Sequence, residues 1–186
     1  MKIENQQSLL IRTALESGAA YSAVIDVVDI PFEESLRQLC EMNTCGKYNA
    51  CHTCPPAVGD VKMLIQKLQT YRFGLIVQSV YQLEDSFDFE GMMLAADIHR
   101  QTFEEALSRV RAAFPDEVIF PLNAGSCNIC ESCTFPEGLP CRYPDRAFPS
   151  IESYGINVNP MLEKAGLHYN NGKNTVSYVG MLFFEE

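Results

Sequence analysis

The sequence of 186 residues has no tryptophan, no internal repeat and no low-complexity segment. The missing tryptophan excludes nothing. More telling is the lack of a long apolar run: the opening MKIENQQSLL has a single lysine and no extended apolar stretch behind it. Neither a secretory signal nor a transmembrane helix is expected, which predicts a cytoplasmic protein with no membrane partner. Basic residues are also in short supply, 14 Lys+Arg against 24 Asp+Glu, for a formal net charge of −10. That charge opposes non-specific association with nucleic acid or anionic lipid. No triad, phosphate loop or dinucleotide fingerprint points to a particular reaction. No strong unpaired apolar stripe calls for a dimer, and the oligomeric state stays open.

What the chain does have is cysteine. Its eight cysteines fall into two local groups with none left over. In a reducing compartment, that partition argues for metal before disulfides. The second group, Cys127, Cys130, Cys133 and Cys141, follows a C-x2-C-x2-C-x7-C pattern. Two-residue spacers let successive sulfurs point into one small volume, so the triplet suits the corners of a cubane cluster and the fourth thiol completes it. Zinc more often takes cysteines in separated pairs, so the pattern leans to iron and sulfur. It departs from the bacterial ferredoxin run, in which the fourth cysteine comes three residues after the third and is trailed by proline. Here Arg142 follows Cys141, and Pro136, Pro140, Pro144 and Pro149 stiffen the loop.

The first group is Cys40, Cys45, Cys51 and Cys54, with Gly46 allowing a tight turn and Pro55-Pro56 expected to hold the chain extended. Its gaps suit an iron–sulfur cluster or a zinc site equally. His52 is a possible replacement for one thiolate.

Periodicity predicts a helix over 6–17, with Gln7, Ile11, Ala14 and Leu15 on one stripe, and a strand over 21–28. A second helix starts near Glu33 and carries Phe32, Leu36, Leu39 and Cys40 on its apolar side, which would bury Cys40. Asp60 reads as the N-cap of a helix with Val61, Leu64, Ile65 and Leu68 inward. Residues 73–82 are apolar on both faces, as in a central strand. An acidic connection, Glu84 to Glu90, reads as a solvated loop. The longest helix, 92–114, places His99 on its buried stripe as a hydrogen-bonded structural residue. Short strands at 118–122 and 175–184 and helical turns near 150–154 and 160–165 complete the pattern. The expected class is α+β: a small mixed or antiparallel sheet of three to four strands covered by helices. The chain reads as a single domain, 1–186, with cysteine loops 40–56 and 127–150 at one end.

Lys47 to Pro56, the Cys127–Cys141 run, Pro144, Ser150 and Gly155-Ile156-Asn157-Val158 together resemble a cysteine-rich domain-of-unknown-function family. Its members are labelled predicted metal-binding proteins, and the likeness extends over nearly the whole chain. It implies metal binding. The family's occurrence mainly in anaerobic bacteria and archaea fits oxygen-sensitive clusters. Likeness to ferredoxin is local to the cysteine triplet.

Three functions follow from the residues. The first is an electron-carrying or redox protein with two 4Fe–4S clusters, one per cysteine group, working with a redox partner protein; Lys47, Arg142 and Arg146 would offset cluster charge. The second is an iron–sulfur enzyme in which an outlying cysteine, Cys40 or Cys141, is not a ligand. An iron would then be open to a small-molecule substrate, with His99, Tyr48 and Arg142 to position it. The third is a structural zinc protein that presents a surface to a partner.

Overall fold

The computed structural model describes residues 2–185. Its centre is strand β2 (Phe73–Gln82), flanked on one side by β1 (Tyr21–Asp26) and on the other by β4 (Thr175–Phe184), with β3 (Ile119–Leu122) outermost beyond β4. All three pairings are antiparallel. β2 and β4 pair along their whole length, from Phe73 opposite Phe184 to Gln82 opposite Thr175. This is the α+β class with a four-stranded antiparallel sheet, and the central place expected for 73–82 is the one it takes.

Because strand side chains alternate in direction, a strand apolar on both faces needs cover on both. Phe73, Leu75 and Val77 of β2 and Leu182 and Phe184 of β4 pack on one face against helices α1 (Lys2–Glu16) and α4 (Phe89–Ala113). Those helices supply Leu10, Ala14, Phe103, Ala106, Leu107 and Val110. On the other face, Ile76, Met181 and Phe183 pack against α3 (Val61–Leu68), α5 (Val158–Lys164) and the turn around Tyr154. Asp60 caps α3 as the sequence suggests, its carboxylate accepting from the Lys62 and Met63 amides at 3.0 and 3.2 Å. None of the described helices is long and apolar enough to cross a membrane.

Three details differ from the periodicity. In α1 the buried stripe runs through Leu10 and Ala14, while Leu15 is 43% exposed. Helix α2 is only Leu36–Glu41 and buries none of its residues; Leu39 is 61% exposed and Cys40 half-buried. An isolated helix of six residues has no long face to bury, so Cys40 turns to the following loop and away from the core. Finally, Phe87, Phe89, Met93 and Leu94 are all exposed around the start of α4, an apolar surface that the core-facing stripe did not foretell.

Candidate metal centre

The first cysteine loop is a run of reversals. After α2 the chain passes through Asn43, Gly46 and Asn49, all at positive φ between 53° and 69°. Glycine enters this left-handed region freely, and asparagine tolerates it because its short side chain bonds locally. The Asn43 side chain does so, accepting the Tyr48 amide at 2.9 Å. The Asn49 amide donates to the Pro55 carbonyl at 2.8 Å, which closes the loop on itself. Pro55-Pro56 is a cis peptide, so the chain turns there where the sequence suggested extension. Arg37 clamps α2 to the fold by donating to the carbonyls of Gly59 and Ser153 at 2.9 and 3.0 Å.

The second loop leaves and re-enters the fold at one point. The Asn123 amide donates to Pro149 O at 2.8 Å, and the Ile151 amide to Asn123 O at 3.1 Å, so Asn123 and Ser150 bridge in parallel. Asn123 Oδ1 also accepts from the Ala124 amide at 2.8 Å and from His99 Nε2 at 2.9 Å. Since that oxygen only accepts, His99 carries its proton on Nε2 and takes the Ser79 hydroxyl on Nδ1, also at 2.9 Å. His99 is 1% exposed, and burial pushes its pKa down to about 4 despite the Asn123 bond. It is therefore a neutral strut beneath the loop, the structural role expected of it. Further out, Thr134 donates to Pro140 O at 2.8 Å, Arg142 donates to Ser132 O at 2.9 Å, and Arg146 pairs with Glu104 of α4 at 3.0 Å.

The two loops are packed against each other. Thr53 Oγ1 accepts the Cys127 amide at 3.2 Å and lies 3.2 Å from Cys51 Sγ. His52 Nε2 donates to Leu139 O at 3.0 Å, lies 3.3 Å from Thr134 Oγ1, and sets its ring edge-on to Phe135. Its visible role is to tie one loop to the other. Thr53 and Thr134, both buried, were not singled out by the sequence; their positions next to cysteines are the only signal it offered.

Among the described residues the cysteines line several cavities, and the lining does not divide by sequence group. Cys51 lies with Cys127, Cys130 and Cys133, and these four wall both a cavity of about 280 Å³ and a narrower one of about 20 Å³. Cys141 and Arg142 reach only the narrow one. Cys40, Cys45 and Cys54 line a separate cavity of about 140 Å³, together with Tyr48, Ser126 and Ser150. Among the described residues no three His, Cys, Asp or Glu side chains converge on one point as a single-ion site. His99 and Arg146 line a further small cavity that reaches Cys127.

Cys51 is the electrostatic centre of the arrangement. Cys54 beside it, helped by Thr53 and Cys133, pulls its pKa down against the cost of burial. Cys54, the donor in that pair, is pushed up. Burial raises Cys40 and Cys127. That shift favours the thiolate, the form in which cysteine binds metal.

An antiparallel sheet that carries two mutually packed, thiol-walled loops at one end has the build of a small cysteine-rich metal-binding protein. The chain belongs to the family described as Predicted metal-binding protein (DUF2284), whose model matches residues 23–184. No curated protein and no solved structure matches it.

Proposed function

We propose that this protein holds two iron–sulfur centres of the 4Fe–4S kind, one in each thiol-walled region, and serves in electron transfer with a redox partner protein. The observation that carries this reading is the meeting of Cys51, from the first loop, with the Cys127, Cys130 and Cys133 triplet around one cavity. In two-cluster ferredoxins too, a tight triplet takes its fourth thiolate from elsewhere in the chain. The donor set fits the group: thiols predominate around these sulfurs, with His52 engaged by Leu139 and Glu131 the one carboxylate in the lining of these two cavities. Bound clusters would supply one-electron chemistry at potentials set by their surroundings.

The chain's own residues hold and tune the site. Thr53 fixes the Cys127 amide and contacts Cys51, a bond to sulfur of the kind that shifts a potential. Arg142 and Lys47 bring positive charge to the cavity walls. All eight cysteines are free, which supports a reducing, cytoplasmic setting.

Metal and acid-labile sulfide analysis with a visible spectrum, on protein purified without oxygen, tests the reading. The expected result is about eight irons and eight sulfides per chain, with brown absorption that bleaches under dithionite. A colourless protein with about two zinc ions and no sulfide would replace it with a structural zinc protein.

A further inference from the structure

Four large apolar side chains crowd one exposed place at the start of α4. Phe87, Phe89, Met93 and Leu94 are left open to solvent, from 63% at Leu94 to 78% at Phe87. Phe89 and Met93 are four residues apart on the helix, as are Leu94 and the exposed Ile98, so these groups share its outer face. Single exposed apolar residues are ordinary, whereas several together in one patch mark a surface that meets a partner. Around the patch the charge has one sign. Glu84, Asp85, Glu90 and Asp97 are all exposed, and no lysine or arginine occurs between Arg72 and Arg100. Arg100 is taken up by Glu104 at 3.3 Å. Lys173, whose carbonyl accepts from Gln82 at 3.4 Å, stands at the neighbouring turn and leaves the rim acidic.

The patch also adjoins the thiols. Asn128 Nδ2 donates to Asp97 Oδ1 at 2.9 Å, and Asn128 is part of the wall of the cavity that Cys51, Cys127, Cys130 and Cys133 share. Asp97 follows Met93 by four residues, so the apolar face begins one helical turn from that contact.

We infer that this face docks an electron-carrying protein whose own contact surface is apolar and ringed by lysine and arginine; this rests on the electron-transfer reading above. An apolar centre with a charged rim is the make-up of a protein interface, and a small one suits the brief encounters of redox proteins. A second copy fits poorly. A two-fold dimer would set the patch against itself, and carboxylates would face carboxylates. A basic rim on the partner complements them, and the Asn128 contact puts that partner beside the triplet's cavity. In the step, one electron leaves the reduced centre and reduces the partner's oxidised cofactor; no bond forms or breaks and no proton moves.

The experiment uses the full protein with its centres, purified without oxygen. Ferricytochrome c, a haem protein with lysines around its exposed haem edge, is the probe. Sedimentation first gives the oligomeric state. With both proteins oxidised, amide chemical-shift changes on adding the probe should concentrate on residues 84–98. After reduction with dithionite and its removal, stopped-flow absorbance should show the haem being reduced. Met93→Gln combined with Leu94→Gln keeps the net charge and alters only exposed positions, and should slow that reduction about tenfold. Glu90→Lys should slow it about threefold at low salt and lose the effect as salt screens the rim. Asp116→Lys makes the same charge change at an exposed position beyond the other end of the 25-residue α4, and should slow it less.

Equal rates in the double variant and the wild type, or shifts centred elsewhere, would overturn the inference and leave the electron-transfer reading standing. So would a wild-type dimer that the double variant dissociates, since the face would then belong to a second copy. Shifts on the patch without reduction of the haem would keep the docking surface and count against the electron-transfer reading. Neither shifts nor reduction would count against both.

Discussion

Acid should destabilise this protein through one residue before its carboxylates titrate. His99 is buried at 1% exposure between Ser79 and Asn123, and its pKa falls from 6.5 to about 4 on folding. The lowered value means that the unfolded chain takes up a proton at a pH where the folded one does not. Stability contributed by the neutral ring is therefore complete above pH 6.5 and is lost as pH falls towards 4. At about 1.36 kcal/mol per unit, the loss is about 2 kcal/mol at pH 5 and approaches about 3 at pH 4. The assay is denaturant unfolding at pH 7 and pH 5 on the wild type and on His99→Gln, which keeps every carboxylate and cysteine but has no ring to charge. The variant should be weaker at pH 7, having lost two hydrogen bonds and the stacking on Tyr178, whose ring centroid is 5.8 Å away. It should also lose about 2 kcal/mol less than the wild type between the two pH values. Equal losses in both proteins would show that His99 does not carry this sensitivity, and the strut argument would fail with it.

Gly180→Ala would place a Cβ against the ring of Phe103 and 3.1 Å from Asn123 Oδ1. Overpacking there should cost about 1–3 kcal/mol in denaturant unfolding. Asp60→Ala removes the cap of α3 and should cost about 1 kcal/mol, read as a lower urea midpoint with unchanged slope. Cys130→Ala should abolish the triplet's centre and leave the one at Cys40, Cys45 and Cys54, halving iron and sulfide per chain. Loss of both centres together would show that they are not independent.

Much of the frame was legible in the residues because it rests on periodic burial. β2 declared itself by apolar groups on both faces, α3 by a capping aspartate ahead of an apolar stripe, and His99 by its place on the inner stripe of α4. Errors arose where burial is decided by a partner and not by spacing. In α1 both Leu10 and Ile11 satisfy a helical pattern, and only the fit to α4 and the sheet selects Leu10 as fully buried. At the thiols the limit is sharper. Spacing fixes how far apart two cysteines are along the chain and leaves open which sulfurs meet in space; the Thr53–Cys127 contact, spanning 74 residues, lays the first loop against the second, so that Cys51 lines the cavities of the Cys127, Cys130 and Cys133 triplet while lying beside Cys54. Asn123 had no pattern to mark it, since its importance lies in four hydrogen bonds, three of them to His99, Pro149 and Ile151, which meet it only after the loop has closed.

The bridge between Asn123 and Ser150 has an evolutionary meaning. A loop stapled at its base presents the same two ends to the sheet whatever lies between them, and lengthening such a loop twofold costs only about 0.6 kcal/mol in closure entropy. Residues 124–149 can therefore change in length and content without asking the strands to move. The sheet works as a socket and the cysteine loop as its insert, so descendants of this chain could exchange the chemistry carried by the insert while inheriting the scaffold unaltered.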